Sequence, residues 1–313
     1  MHPRTLLLAL ALALALAVAA PAGGRVERAP SPPVIAIAGD IACDPADTRF
    51  QDGFGTDDGC REMDTSDLLL DQRAFPRLTA VLTAGDNQYE FGSLDAYARS
   101  YEPSWGRLES ITRPSPGNHE YLTRDAAGYF AFFGPAAGPP GLGYYSFDLG
   151  AWHIVSLNAN CTFVGGCGSA SPEVRWLRRD LARSSARCTL AYWHQPRFSS
   201  GVHGSDTSYR ELWQALYEAK ADVVVNGHDH DYERFTPQDP DGRLDPAQGI
   251  REFVVGTGGE SLRGFTAIAP NSRVRNSATF GVLKLTLRAK SYAWSFLPAG
   301  PESFRDSGSG ACH

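Results

Sequence analysis

Five times along this chain an apolar run stops at a cluster of Asp, Asn or His. Val34-Ile35-Ala36-Ile37-Ala38 ends in Gly39-Asp40, Leu78 to Ala84 ends in Gly85-Asp86, and the weaker run Ile111 to Pro116 ends in Gly117-Asn118-His119-Glu120. Thr189 to Trp193 ends at His194, and Asp222 to Asn226 ends in Gly227-His228-Asp229-His230. Short, nearly continuous apolar runs of this kind read as buried strands. In α/β folds, ligand-binding groups sit in loops beyond the carboxyl ends of strands. The pattern therefore brings five polar clusters to one sheet edge.

The segments between them supply the remaining layers. Tyr144 to Leu149 and Trp152 to Leu157 form a hairpin turning at Gly150-Ala151. Pro172 to Ser184 reads as a helix, with Ser171 as N-cap and Pro172 at the first position. Ser208 to Ala219 reads as a second amphipathic helix; Glu252 to Val255, Phe280 to Leu287 and Tyr292 to Leu297 read as strands. No internal repeat interrupts the order, so one α/β domain over 34–297 is expected, followed by a C-terminal tail over 298–313. With 42% hydrophobic and 20% charged residues, the chain is neither collagen-like, coiled-coil nor disordered. It carries 29 Lys+Arg against 35 Asp+Glu and no basic run, which argues against a nucleic-acid polymer as partner.

The amino terminus points to export. Arg4 precedes the apolar run Leu6 to Ala20, with small residues at Ala17-Val18-Ala19 and Ala20-Pro21-Ala22. The run falls short of the roughly 20 residues a membrane span needs. Residues 1–22 read as a signal peptide and 23–33 as a linker, so an extracellular or periplasmic protein without stable membrane insertion is expected. Six cysteines follow, an even number that suits disulfides in an exported chain. Six cysteines allow fifteen pairings. Nearness favours Cys43–Cys60 and Cys161–Cys167, leaving Cys188 and Cys312 to tie the C-terminal tail to the core. Thiolate zinc ligation is the competing use, and no Cys-x-x-Cys pair supports it.

Taken singly, most of the clusters are bland. Gly-Asp after a strand is usually a turn, Gly-Asn-His-Glu can be a turn with a helix cap, and a lone His194 is more often a core histidine. Two histidines one residue apart after a buried strand already suggest a metal. Together, Asp, Asn, His and Tyr without Cys form a hard-to-borderline donor set, suited to iron, zinc or manganese rather than copper(I). The run Gly256-Thr257-Gly258-Gly259 lacks the Gly-Lys-Ser/Thr of a phosphate loop and reads as a tight turn near the site.

The ordered series Gly-Asp, Gly-Asp-x-x-Tyr, Gly-Asn-His-Glu, His, Gly-His-x-His resembles the calcineurin-like metallophosphoesterases from about Val34 to Leu297, and more narrowly the purple acid phosphatases. The wider superfamily opens with Asp-x-His; here Asp40-Ile41-Ala42 has no such His, and Tyr89 stands three residues after Asp86, as in the purple acid phosphatases. The resemblance implies a four-layer sandwich of two mixed β-sheets flanked by helices. It implies that Asp40, Asp86, Tyr89 and His230 hold a first metal, Fe3+ in that family. Asp86, Asn118, His194 and His228 would hold a second, Fe2+, Zn2+ or Mn2+, with Asp86 bridging. His119 and His203 match substrate-contacting histidines. The implied function is a secreted phosphatase that hydrolyses small phosphate monoesters through a metal-bound hydroxide. A phosphodiesterase acting on nucleotides or phospholipid headgroups would use the same metals. A non-catalytic exported binding protein is the third reading. Two departures stand out: the first motif begins almost directly after the linker, so the N-terminal strand-rich domain of large plant members is not expected here, and Ala42 stands where the first motif commonly has Gly. The oligomeric state is not encoded in these motifs.

Overall fold

The computed structural model describes residues 31–301 and 303–313; the signal-peptide segment and residues 23–30 of the linker lie outside the described residues. Thirteen strands are described, arranged in two mixed sheets. The first sheet has the order β13 (Ser307–Ala311), β12 (Ser291–Pro298), β11 (Gly281–Arg288), β1 (Val34–Ala38), β2 (Leu78–Ala84), β3 (Thr112–Ser115). Strands β1, β2 and β3 run parallel; β11, β12 and β13 pair antiparallel. The second sheet has the order β10 (Ser272–Asn276), β8 (Tyr232–Phe235), β9 (Arg251–Val255), β7 (Val223–Asn226), β6 (Cys188–Tyr192), β5 (Trp152–Ser156), β4 (Tyr145–Leu149). Here β5, β6, β7 and β9 are parallel, β4 pairs antiparallel with β5, and β8 pairs antiparallel with both β9 and β10.

Side-chain alternation along the strands decides what each face covers. In β7, Val223 and Val225 join the core that also holds Ile35, Ile37, Leu82 and Leu283 of the first sheet. Val224 faces the other way, with Val174 and Leu177 of α4 (Pro172–Arg183) and Leu212 and Leu216 of α5 (Arg210–Glu218). Each such aliphatic side chain taken from water contributes roughly 1.5–3 kcal/mol. The first sheet is covered in turn by α1 (Glu62–Leu70), by α2 (Leu94–Ala96) running into Tyr97 and Tyr101, and by α3 (Ala127–Phe133). The result is four layers, as the motif resemblance implied. The Ser171 hydroxyl accepts from Val174 N at 3.2 Å, closing the start of α4. The second expected helix is tighter at its start: Thr207–Tyr209 is a 3-10 turn before α5.

The stretch beyond residue 297, read as a tail, carries β13, the edge strand of the first sheet. All six cysteines are paired, as Cys43–Cys60, Cys161–Cys167 and Cys188–Cys312. The last bond joins the start of β6 in the second sheet to the residue after β13 in the first. No helix among the described residues is long and apolar enough to cross a membrane.

Candidate metal centre

The five polar clusters meet where the parallel strands of both sheets end. Asp40 follows β1, Asp86 and Tyr89 follow β2, Asn118 follows β3, His194 follows β6, and His228 and His230 follow β7. At three of these junctions the chain turns through the left-handed region: φ is 60° at Asp40, 44° at Asp86 and 71° at His228. That region is sparsely used by residues other than Gly, Asn and Asp. It folds each loop back at once, so that the residue after the strand points across the gap between the sheets.

Glycines let the loops approach. A Cβ on Gly117 would stand 2.1 Å from Asp86 Oδ1, and one on Gly85 would stand 2.5 Å from the His194 side chain. One on Gly227 would meet Asp40 Oδ2 at 2.6 Å. The carboxylates are thereby reached by main chain as well as by side chains. His119 N donates to Asp86 Oδ1 at 2.8 Å and His228 N to Asp40 Oδ2 at 2.8 Å. The tight turn at Gly256 to Gly259 does lie beside the site: Gly258 N donates to Gly39 O at 2.9 Å.

Two knots of donor atoms result. Tyr89 Oη lies 2.8 Å from Asp40 Oδ1, 3.1 Å from Asp86 Oδ2 and 3.2 Å from His230 Nε2, and His230 Nε2 lies 3.2 Å from Asp40 Oδ1. His194 Nε2 lies 3.0 Å from Asp86 Oδ2 and 3.2 Å from His228 Nδ1. One ligand atom each from Asp86, His194 and His228 falls within a 4.8 Å cluster. Asp86 belongs to both knots. Asn118 stands at the rim of the second, its Oδ1 accepting from Gln195 Nε2 at 3.4 Å.

The outer partners set the tautomers. His194 Nδ1 lies 2.9 Å from Ala84 O; a carbonyl only accepts, so Nδ1 carries the hydrogen and Nε2 faces the cluster. His230 Nδ1 is held by Ser261 Oγ at 2.9 Å and Glu260 Oε2 at 3.0 Å, which likewise turns Nε2 inward. The buried Glu120 carboxylate accepts from the backbone N–H groups of Asn87 (2.8 Å), Gln88 (3.2 Å) and Gly117 (2.6 Å), locking the β2 and β3 loops together. No motif along the sequence marks Glu120, Glu260, Gln195 or Asn160 for these roles. Glu120 stood in the quoted Gly-Asn-His-Glu run, but nothing along the chain shows a carboxylate bonding backward to two loops.

The electrostatics favour cations. Burial alone would raise the Asp40 carboxyl, yet the imidazoles of His230 and His194 override it and hold it below the ordinary carboxylate range. Asp86 is likewise held low, against burial, by His194 and His119. Burial opposes the charge on His194 and His230, but the facing carboxylates push them up to about 9 and about 10. Burial and the neighbouring His194 push His228 down to about 3, leaving it a neutral lone-pair donor. Burial, with Asp40 and Asp86, raises the Tyr89 phenol well above its usual value. A buried phenol between two carboxylates ionises only against a strong positive charge. Two carboxylates, a phenol and three imidazoles packed this closely are thus a donor set that fits a pair of cations. Two further clusters among the described residues, Cys43–Asp47–Cys60 and Cys188–Asp222–Cys312, contain cysteines whose sulfurs are in disulfides.

His119 and His203 flank the knots. His119 Nδ1 lies 2.7 Å from the Glu90 carbonyl, its Nε2 lies 3.8 Å from Asp86 Oδ2, and its ring sits 4.3 Å from that of Tyr89. His203 stacks on His228 at 4.2 Å, and its Nδ1 lies 3.1 Å from Oδ1 of the buried Asp229.

Comparison with known proteins places the fold and the family. The sequence is 33% identical over 186 residues to purple acid phosphatase 15 of Arabidopsis thaliana, covering 51% of this chain and 33% of that protein. The chain spans less than half the length of the first curated relatives it matches. The purple acid phosphatase PPD1 from yellow lupin seeds superposes with a TM-score of 0.73 at 17% identity, over 89% of this chain and 53% of that one. A dimetal phosphatase from Danio rerio gives 0.60 at 14% identity, over 89% of this chain and 99% of that one. At such identities these two likenesses are of fold. The family model for calcineurin-like phosphoesterases matches residues 32–232, and with that match the chain belongs to the calcineurin-like phosphoesterase family, with purple acid phosphatases among its relatives.

Proposed function

We propose that this protein is an exported binuclear-metal phosphatase acting on phosphate monoesters. The observation that carries the reading is the convergence of Asp40, Asp86, Tyr89, His194, His228 and His230 from four strand ends onto two adjoining knots that share Asp86. Asp40, Tyr89 and His230 would hold Fe3+ on one side of Asp86. Asn118, His194 and His228 would hold Fe2+, Zn2+ or Mn2+ on the other. A metal pair so held supplies Lewis acidity, polarising phosphoryl oxygens and lowering the pKa of bound water.

The chain's own groups do the rest. Two carboxylates and an ionised phenol contribute −3, so a +5 pair leaves +2 for a phosphate dianion. His119, with Nδ1 committed to the Glu90 carbonyl, keeps Nε2 at the edge of the site, where it can protonate the leaving alkoxide. Such general acid catalysis is typically worth about 10²–10⁴-fold. His203 is held through Nδ1 by Asp229 and offers Nε2 as a second donor to phosphoryl oxygens. The disulfides and the apolar amino terminus support export.

The test is the relative hydrolysis of 4-nitrophenyl phosphate and bis(4-nitrophenyl) phosphate by metal-loaded protein, with Asp86→Asn as blank. Monoester preference that vanishes in the blank is expected. Diester preference would assign the protein to phosphodiesters instead. Inertness toward both would leave a binding protein.

A further inference from the structure

The geometry points to an aromatic platform at the mouth of this centre, formed by Phe163 on Tyr121, that receives a flat ring in the organic part of the substrate. The inference rests on the phosphoesterase reading above and adds the substrate class, a phosphate ester carrying a nucleobase or an aryl group.

Phe163 is a large apolar side chain left 55% exposed. It is nonetheless held firmly. It sits in a single 3-10 turn, Cys161–Phe163, with Phe163 N bonded to Asn160 O at 3.0 Å and Val164 N to Cys161 O at 3.1 Å. The Cys161–Cys167 disulfide closes the loop, and the neighbours Cys161 and Val164 are buried. One face of the Phe163 ring is covered by Tyr121, with centroids 4.3 Å apart and planes inclined by 24°. A rigid exposed ring already stacked on one side is poised to stack again; base–aromatic stacking is favourable and tolerant of base identity.

The platform is tied to the metal-binding loops by hydrogen bonds. Tyr121 N bonds to Asn118 O at 3.1 Å, so Tyr121 stands in the same turn as Asn118 and His119. Its hydroxyl accepts from Asn158 Nδ2 at 2.7 Å. Asn160, which precedes the clipped loop, donates through Nδ2 to Gly117 O at 3.1 Å, and its Oδ1 accepts from Gln195 Nε2, the group that also bonds Asn118 Oδ1. Phe163 is thus positioned from the loop that presents Asn118. Leu122, 55% exposed and next to Tyr121, extends the apolar rim.

The experiment compares kcat/KM within matched pairs on one sample of metal-loaded protein: AMP against ribose 5-phosphate for a nucleobase, and benzyl phosphate against ethyl phosphate for an aryl group. Each pair shares its type of leaving alkoxide, and the ratio cancels differences in folding or metal loading. The ring-bearing partner is expected to be preferred about tenfold in at least one pair, by stacking. Phe163→Ala should bring that ratio near unity, and Phe163→Trp should retain it. Preference in only the first pair or only the second identifies the ring. Ratios near unity in both pairs, or a preference that survives Phe163→Ala, would overturn the platform while leaving phosphatase activity standing. A protein inert toward all four esters and toward 4-nitrophenyl phosphate would overturn both readings.

Discussion

The two sheets bring different chemistry to the same gap. The candidate ligands of the first sheet are all oxygen donors: Asp40 after β1, Asp86 and Tyr89 after β2, Asn118 after β3. Those of the second are all nitrogen donors: His194 after β6, His228 and His230 after β7. The carboxylate–imidazole pairs of the two knots run across this divide, from Asp86 to His194 and from Asp40 to His230. Among the candidate ligands, one wall therefore carries the carboxylates and the other the imidazoles. What joins the walls at this end is electrostatic, whereas the Cys188–Cys312 disulfide joins the same two sheets covalently from the start of β6. The difference teaches that ligand loading and covalent stapling act on separate ends of one interface.

The comparison can be broken most severely at its shared carboxylate. Asp86→Asn keeps the shape but removes the charge that both knots use. It should lose both metals and lower turnover by more than the roughly 100-fold that outer-partner substitutions reach, read by elemental analysis and 4-nitrophenyl phosphate hydrolysis. Full metal content in that variant would break the division of labour described above. The covalent end is next. Replacing Cys188 and Cys312 by Ser should lower unfolding stability by about 3–5 kcal/mol, measured by denaturant midpoint, while metal stoichiometry stays intact. Loss of metal there would show that the two ends are not separate.

A finer cut reaches the nitrogen wall from behind. Glu260→Gln removes the charged partner of His230 Nδ1, which stands at 3.0 Å. Metal affinity should fall about 10–100-fold, in the knot with Tyr89 more than in the other, as measured by competition with a chelator. The smallest and most graded effect is on pH. In chelated protein His194 and His230 titrate at about 9 and about 10, above the ordinary value of about 6.5. Because their folded values are raised, the stability they contribute is complete below about 6.5 and is lost as pH rises through about 9–10. Asp40 and Asp86, held low, contribute above about 3.9 and lose that contribution as pH falls through their folded values. Thermal melts of chelated protein should therefore decline from pH 6.5 to 10, and a flat profile would deny the cross-sheet pairs.

Most of the motif residues were legible because they follow apolar strands, where composition changes abruptly; Asn118 follows β3, which reads Thr-Arg-Pro-Ser, and was legible only through its Gly-Asn-His-Glu run. The partners that orient them were not. Glu120 and Glu260 act over distances in sequence that no local pattern reports, and Asn160 lies in a loop with no periodicity. Whole elements were hidden for identifiable reasons. In β8 the buried Glu233 is satisfied by Ser200 N at 2.8 Å and by the Ser200 and Ser272 hydroxyls, so the strand reads as polar. In α1 the buried face includes Glu62, Thr65 and Ser66, which masks its amphipathicity. The strand β13 reads Ser-Gly-Ser-Gly-Ala, a linker by composition. Its glycines are spaces for aromatic rings: a Cβ on Gly308 would stand 2.3 Å from Trp294 and one on Gly310 would stand 2.5 Å from Tyr292.

The left-handed turns at Asp40, Asp86 and His228 carry a consequence for how this centre tolerates change. Residues held in such conformations cost the fold on the order of 1–3 kcal/mol each, less for Asp. That cost is met by the surrounding loops whether or not the site is filled. At His228, which stays neutral and outside the carboxylate–imidazole pairs, selection for thermal robustness alone would favour glycine, and that gain would remove a candidate ligand. Stability and function pull in opposite directions at that junction. At Asp40 and Asp86 they pull together, because losing either carboxylate would leave a buried imidazole without its partner.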